Sequence, residues 1–127
     1  MKINYMLDKG AFAPVRAHSE DAGWDLKSPV ESFLYSNNDA IVIDTGIHVE
    51  IPKGYVGFLK SKSGLNVKFG IKSEGVIDCG YTGSIVVKLY RTDSDYSAQP
   101  YKINVGDKIT QLVILPIPDT EMVEVKS

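Results

Sequence analysis

The sequence predicts an all-β fold of the sandwich or jelly-roll type. Hydrophobic side chains alternate with polar ones at Ile47, Val49 and Ile51, which is the period of a strand with one buried face. Further β-branched and aliphatic runs follow at short intervals, and Gly, Pro, Asn or Asp separates them. Many short strands joined by such turns are typical of sandwiches and jelly rolls.

The strand-like segments are short, and turn-forming residues bound them. They span residues 41–43, 47–51, 84–90 and 109–115. Turns are predicted at 37–39 and 52–54, where Asn, Asp, Pro and Gly cluster. One turn of helix fits residues 63–68, and the polar segment 93–99 has the composition of a surface loop.

Length and composition predict one domain that covers residues 1–127. With 43% hydrophobic residues, a chain of this length buries a modest core. The net charge of −2 supplies no long basic face, so we expect no nucleic-acid partner. The single cysteine, Cys79, excludes an intrachain disulfide, and the polar N-terminus does not resemble a secretory signal. With no long apolar run, these features predict a cytoplasmic protein without a membrane partner.

Three short segments contain residues suited to chemistry. Asp78 follows an apolar Gly-Val-Ile run, where a semi-buried carboxyl with raised proton affinity would serve as a general base. Lys62, Ser63 and Gly64 could offer a cation, a hydroxyl and an amide to a phosphate. Asp25 follows Ala-Gly-Trp. Taken alone, each segment is a weak signal, and for Asp78 an ordinary turn-capping role is favoured by roughly two to one.

Other polar and aromatic residues carry no predicted chemistry. The two histidines, His18 and His48, lie in no zinc or hydrolase arrangement and are expected at the surface. Trp24 is expected in the core or at its rim. Tyr96 and Tyr101 are expected in a loop and at a strand edge.

Taken in order, the segments resemble the motifs of the homotrimeric dUTPases. They are DAGWDL at 21–26, PKGYVG at 52–57 leading into SKSGL at 61–65, GVIDCGYTGSI at 75–85 and GDKITQL at 106–112. The family usually has Tyr or Phe at Trp24, Arg at Lys62, Arg at Thr82 and Glu at Ser84. The resemblance runs from residue 21 to residue 112, and its specific feature is the order and spacing of the motifs.

The resemblance implies a jelly-roll β-barrel that assembles as a homotrimer, with sites between subunits. In such a site, the backbone of Gly75, Val76 and Ile77 would bind the uracil edge and exclude a 5-methyl group. The ring of Tyr81 would pack under the sugar and leave no room for a 2′-hydroxyl. The implied substrate is therefore dUTP, and the implied enzyme is a dUTP diphosphatase.

The resemblance also implies how the reaction is divided among residues. Asp78 would activate the attacking water, giving dUMP and pyrophosphate. Lys62, Ser63, Gly64 and Gln111 would contact phosphates, with Lys62 lacking the planar donor pair of Arg. Magnesium (Mg²⁺) would be held mainly by phosphate oxygens and waters, and Asp25 would accept hydrogen bonds from those waters.

The chain departs from the family after residue 125. It stops at Ser127, where the family usually continues into a mobile Gly-rich arm with a Phe. Three explanations stay open: a chain cut short, a natural short form closed by another element such as loop 93–99, or a poor catalyst. The last would make it a deoxyuridine-nucleotide-binding protein with a regulatory protein partner. The related dCTP deaminases are disfavoured, because residues 63–67 lack the Arg and Glu typical of them.

Overall fold

The computed structural model describes residues 1–35, 39–92 and 99–127. In order, the elements of these residues are β1 (Asn4–Leu7), β2 (Gly23–Lys27), β3 (Ser32–Leu34), β4 (Ala40–Asp44), β5 (Ile47–Glu50), β6 (Tyr55–Lys60), α1 (Ser63–Phe69), β7 (Ile71–Ile77), β8 (Val86–Arg91), β9 (Tyr101–Ile103) and β10 (Lys108–Pro116). The predicted all-β class is confirmed.

Antiparallel pairing joins six strands into one sheet, in the order β2-β10-β6-β7-β8-β4. Two smaller pairs, β1 with β5 and β3 with β9, complete the described strands. This order places β10 between β2 and β6, although the three strands are far apart in the sequence. The first, second and fourth motifs therefore meet on neighbouring strands.

Most predicted segments lie where the sequence placed them. Strands β4, β5 and β10 and the helix α1 match the predictions, and Tyr55 N donates to Pro52 O in the predicted turn (3.1 Å). Strand β8 begins two residues later than the predicted residue 84, because Ile85 bonds across to Thr45 and Ile47 instead of joining the β8 ladder. Residues 37 and 38 of the predicted turn, residues 93–98 of the predicted loop and Tyr96 lie outside the described residues.

The core of the described chain is one cluster of buried aliphatic side chains, to which each strand from β2 to β10 contributes. Leu26, Leu34 and Leu89 are fully buried within it. Helix α1 buries no residue in this cluster and ends at Gly70, whose φ of 65° is the left-handed conformation that glycine adopts readily. No helix in the described ranges is both long enough and apolar enough to cross a membrane.

Leu89→Ala is expected to lower the free energy of unfolding by about 2–5 kcal/mol, because it removes fully buried methyl groups and leaves a cavity. The measurement is urea unfolding at a fixed protein concentration. Val105→Ala is the control, since Val105 is 59% exposed and its truncation should change stability by no more than about 0.5 kcal/mol. Equal unfolding midpoints for the two variants would contradict this account of the core.

Candidate active site

Eight of the ten predicted site residues form two groups in the chain, and the other two, Ser63 and Gly64, follow Lys62 at the start of helix α1. Asp25, Lys62 and Gln111 lie together with the backbone of Ser61, and we call them the polar group. The five predicted residues of the third motif line a cleft beside β7. No side-chain hydrogen bond or ion pair among the described residues joins the polar group to the cleft.

The polar group is built around the Asp25 carboxylate. Asp25 is only 7% exposed, and its Oδ1 accepts a hydrogen bond from Lys62 Nζ. Its Oδ2 lies 3.4 Å from Lys108 Nζ. A buried carboxylate requires such partners, because desolvation penalises an unpaired charge by several kcal/mol. Lys108 belongs to the fourth motif, but the sequence analysis gave it no role.

Strand register brings the residues of the polar group side by side. Gln111 on β10 pairs with Asp25 on β2 and, on its other side, with Lys60 on β6. Gln111 Nε2 donates to Ser61 O at 3.0 Å. A Cβ added at Gly23 would lie 3.1 Å from Gln111 Cβ and would overlap Oε1, so the glycine of the first motif makes room for the glutamine of the fourth.

Buried hydroxyl groups fix the backbone that leads into Lys62. Ser61 Oγ donates to Ser73 O (3.2 Å) and accepts from Ser73 N (3.0 Å). Thr110 Oγ1 donates to Lys60 O at 3.0 Å. Ser73 Oγ therefore supplies the proton in its 2.8 Å contact with Thr110 Oγ1. This network holds the end of β6 against both β7 and β10.

Ser63 and Gly64 begin helix α1 and are exposed. The first N–H groups of a helix have no acceptor within it, so amides in this first turn can bind an incoming anion. Their position directly after Lys62 places a hydroxyl, amides and an ammonium group on consecutive residues, as the sequence predicted.

The cleft has a volume of about 200 Å³. All five predicted residues of the third motif contribute to it, namely Gly75, Val76, Ile77, Asp78 and Tyr81. Sequence reasoning missed three further lining residues, Leu59, Ile85 and Val86. Leu59 faces the cleft because β6 pairs with β7 in the register Leu59 to Gly75, which no local pattern reveals.

The hairpin after β7 fixes the ring of Tyr81. Tyr81 N donates to Asp78 O (3.1 Å) in the turn, and Tyr81 Oη donates to Ser84 O (2.7 Å). A Cβ added at Gly83 would lie 2.7 Å from Tyr81 Oη, so the ring lies directly against a glycine that cannot be enlarged. Tyr81 is 46% exposed, so part of its side chain is accessible to a ligand.

The environment of Asp78 differs from the prediction. A semi-buried carboxyl was expected, but Asp78 is exposed in the single chain. The reason is that β7 ends at the buried Ile77, and Asp78 begins the turn that follows. The burial prediction is therefore wrong for the isolated chain.

The surface residues are mostly where they were expected. Trp24 lies at the rim, 37% exposed, with the Arg16 guanidinium 4.5 Å from its ring centroid. His18 is exposed as predicted. His48 is partly buried instead, because both of its ring nitrogens contact oxygen acceptors.

Asp25 is the predicted contact for the waters of a magnesium ion. Within residues 1–35, 39–92 and 99–127, no three His, Cys, Asp or Glu side chains come together in a way that could hold a metal ion. Asp25 supplies one buried carboxylate that already pairs with two ammonium groups. Such a group suits hydrogen bonds from metal-bound water better than direct coordination.

Comparison with known proteins gives consistent results. The dUTPase family model matches residues 10–127. The deoxyuridine 5′-triphosphate nucleotidohydrolase of Tropheryma whipplei (strain Twist) is 42% identical over 123 residues, which cover 94% of this chain and 82% of that protein. The protein of the same name from Mycobacterium leprae (strain Br4923) is 40% identical, and the alignment covers 95% of this chain and 78% of that protein.

Solved structures extend the likeness to the fold. A mutant dUTPase of Staphylococcus bacteriophage 80alpha with dUpNHpp has a TM-score of 0.88 at 30% identity, covering 99% of this chain and 89% of that one. A mutant dUTPase of phage phi11 of S. aureus, which coordinates a structural Mg(II) ion, has a TM-score of 0.86 at 32% identity, with 100% and 98% coverage. The jelly-roll prediction is confirmed, and the relatives favour the hydrolase over the nucleotide-binding alternative. The chain belongs to the dUTPase family.

Proposed function

We propose that the protein is a dUTP diphosphatase that hydrolyses dUTP to dUMP and pyrophosphate. One observation carries the proposal: Gly75, Val76, Ile77, Asp78 and Tyr81 line a single cleft. The cleft thus combines backbone groups, an aromatic ring and a carboxylate, which are what recognition and hydrolysis of a nucleotide require. A cytoplasmic location stays a prediction.

The cleft is the proposed nucleoside site. Backbone groups of Gly75, Val76 and Ile77 would read the uracil edge, and the apolar side chain of Leu59 forms part of the wall. The Tyr81 ring, fixed by its hydroxyl and by Gly83, would pack against deoxyribose and exclude a 2′-hydroxyl. A rigid ring discriminates by shape, because it cannot move aside to admit the larger sugar.

Asp78 is the proposed general base. Asp78 lines the cleft, and its backbone carbonyl accepts a hydrogen bond from Tyr81 N. Asp78 would orient a water, accept its proton, and direct the oxygen in line at the α-phosphorus. The bond to the bridging oxygen then breaks, and pyrophosphate leaves with its electron pair.

The polar group is the proposed phosphate site. Lys62 and Lys108 supply positive charge beside the hydroxyl of Ser63, the amide of Gly64 and the amide of Gln111. Both ammonium groups pair with Asp25. Incoming phosphates would compete for these cations, and Asp25 would then accept hydrogen bonds from waters of the bound Mg²⁺. That ion would neutralise triphosphate charge when bound.

A homotrimer would bring a cleft and a polar group of different subunits together. Three features support contacts between copies. Within one described chain no side-chain bond links the two groups, and the segment after β10 exposes large apolar side chains. Met122 is 96% exposed, Val123 70% and Val125 76%. Large exposed apolar patches mark association surfaces. Among the described residues β1 pairs only with β5, so its second edge can accept another strand.

Asp78→Asn is expected to reduce pyrophosphate release from dUTP with Mg²⁺ by about 10²–10⁴-fold, because the amide cannot accept the proton of the attacking water. Glu31→Gln, an equivalent change at an exposed surface carboxylate, should leave the rate unchanged. dCTP, dTTP, UTP and dUDP are the comparison substrates. Equal release by Asp78→Asn and the unmodified protein would remove Asp78 from the mechanism.

Gly23→Ala is expected to raise the KM for dUTP about tenfold or more, because the new methyl group displaces Gln111 from its place at the phosphate site. Steady-state kinetics of four proteins form the test: unmodified, Gly23→Ala, Gln111→Ala and the double variant. If Gly23 acts through Gln111, the two losses are strongly non-additive. Additive losses would show that the glycine has another role.

Val125→Asp is expected to shift the protein from trimer to smaller species and to lower dUTP turnover, because it places a charge in a proposed apolar contact. Sedimentation velocity gives the assembly state, and Glu124→Gln is the neighbouring control. An unmodified protein that is fully active as a monomer would refute the trimeric site.

A further inference from the structure

His48 connects two parts of the chain that are far apart in sequence. It lies on β5, and its Nδ1 is 2.7 Å from the carbonyl oxygen of Thr82. Its Nε2 is 2.9 Å from Asp8 Oδ1, just after β1. The side chain is only 25% exposed. The ring therefore bridges the β1 end of the molecule and the hairpin that carries Asp78 and Tyr81.

Both contacts require His48 to be an imidazolium. A carbonyl oxygen never donates a hydrogen bond, and an ionised carboxylate does not donate either. A neutral imidazole has one N–H, so it can satisfy only one of the two acceptors, whereas the protonated ring donates to both. The charged groups that face the ring are Asp8 after β1 and Asp44 at the end of β4, and both favour the cation. The pKa of His48 is raised, mainly by the Thr82 carbonyl and next by the Asp8 hydrogen bond.

The Thr82 contact adds to other hydrogen bonds of the hairpin, which include Tyr81 N to Asp78 O and Tyr81 Oη to Ser84 O. Thr82 lies between Tyr81 and Gly83, whose packing fixes the aromatic ring. One residue before His48, Ile47 O accepts a hydrogen bond from Ile85 N at 2.8 Å. Consecutive residues of β5 thus hold the hairpin at two points, and only the one at His48 depends on a proton.

We propose that His48 is a positioning residue: its imidazolium ties the Thr82 carbonyl to Asp8 and so holds hairpin 78–84 in the conformation that receives the nucleoside. This role rests on the proposed function of the hairpin. The two contacts are complete at low pH. As pH rises through the raised pKa of His48, the ring loses one N–H, a contact opens, and nucleotide binding weakens. The contribution of His48 to folding stability follows the same direction and is lost over the same pH range.

The main test compares unmodified protein with His48→Gln from about pH 6 to about pH 9, measuring kcat/KM for dUTP with Mg²⁺ and the Kd of the non-hydrolysable analogue dUpNHpp. Glutamine does not titrate, and its N–H groups lie on a single nitrogen, so it cannot present donors from two separate nitrogens as the imidazolium does. At low pH, kcat/KM of the unmodified protein should be about three to ten times that of His48→Gln, and its Kd should be lower by the same factor, as for one lost hydrogen bond. At high pH both ratios should be close to one. Taking the ratio at each pH cancels the titration of the nucleotide itself.

The pH at which the kcat/KM ratio is halfway between its low-pH and high-pH values should equal the pKa of His48 measured by NMR. The chain has only two histidines, so the imidazole signal lost in His48→Gln identifies it. His18→Gln, at the exposed histidine, is the matched control and should behave as unmodified protein. Asp8→Asn should move both the NMR pKa and the kinetic midpoint to lower pH, because it removes a negative charge that stabilises the cation. A merely structural role would not produce this joint shift.

Three outcomes would overturn the proposal. The first is a kcat/KM ratio that does not depend on pH, and the second is a kinetic midpoint that is the same in Asp8→Asn as in the unmodified protein. The third is a changed sedimentation coefficient of His48→Gln, which would assign the histidine to assembly. Failure of the proposed function is distinguishable, because unmodified protein would then neither bind dUpNHpp nor release pyrophosphate. In that case the NMR chemical shifts of the backbone amides of residues 78–84 still test the contact between His48 and the hairpin. These chemical shifts should change with pH together with the His48 imidazole signal, and shifts that do not would refute the contact.

Discussion

The pairing of the buried Asp25 carboxylate with Lys62 and Lys108 is the interaction on which the polar half of the site depends. A carboxylate at this depth is stable only with cations beside it, and the two lysines come from different elements that this charge draws together. The same pairing keeps positive charge at one place before any ligand arrives. In the proposed site, phosphates would pair with the two lysines, and Asp25 would then accept hydrogen bonds from waters around Mg²⁺. Each charged group would keep a partner, so no unpaired ion would be left buried.

Local sequence patterns predicted four of the ten described strands, β4, β5, β8 and β10, and missed six, among them β2, β6 and β7, which do have buried residues. Strand β5 alternates buried and solvent-facing residues and was predicted, whereas all four residues of β1 are exposed and give no such signal. Strands β3 and β9 have three residues each, too few to establish a period. The start of β8 was misplaced because Ile85 bonds to residues some forty positions earlier, and long-range pairing leaves no local trace.

The candidate site followed from the order of the motifs, and its errors have physical causes. Exposure of Asp78 depends on where β7 ends, which composition does not fix. His48 was assigned to the surface because its partners are 34 and 40 residues away, and nothing near it in the sequence suggests a ring with two acceptors. Lys108 and Leu59 were missed for a related reason: their roles arise from register between strands, which alternation alone cannot reveal.

Strand β6 explains how the two halves of the site keep a fixed relation within one chain. Leu59 forms part of the cleft, and the next residues, Lys60 and Ser61, hold the polar group through Thr110 and Gln111. Ser61 also bonds to Ser73 on β7, the strand that ends at the cleft. These hydrogen bonds connect the cleft and the polar group of one subunit through β6 and β7. In the proposed trimer, a nucleotide that spans two subunits would therefore respond to the contact between them, and the subunit interface would set the distance from nucleoside to phosphate.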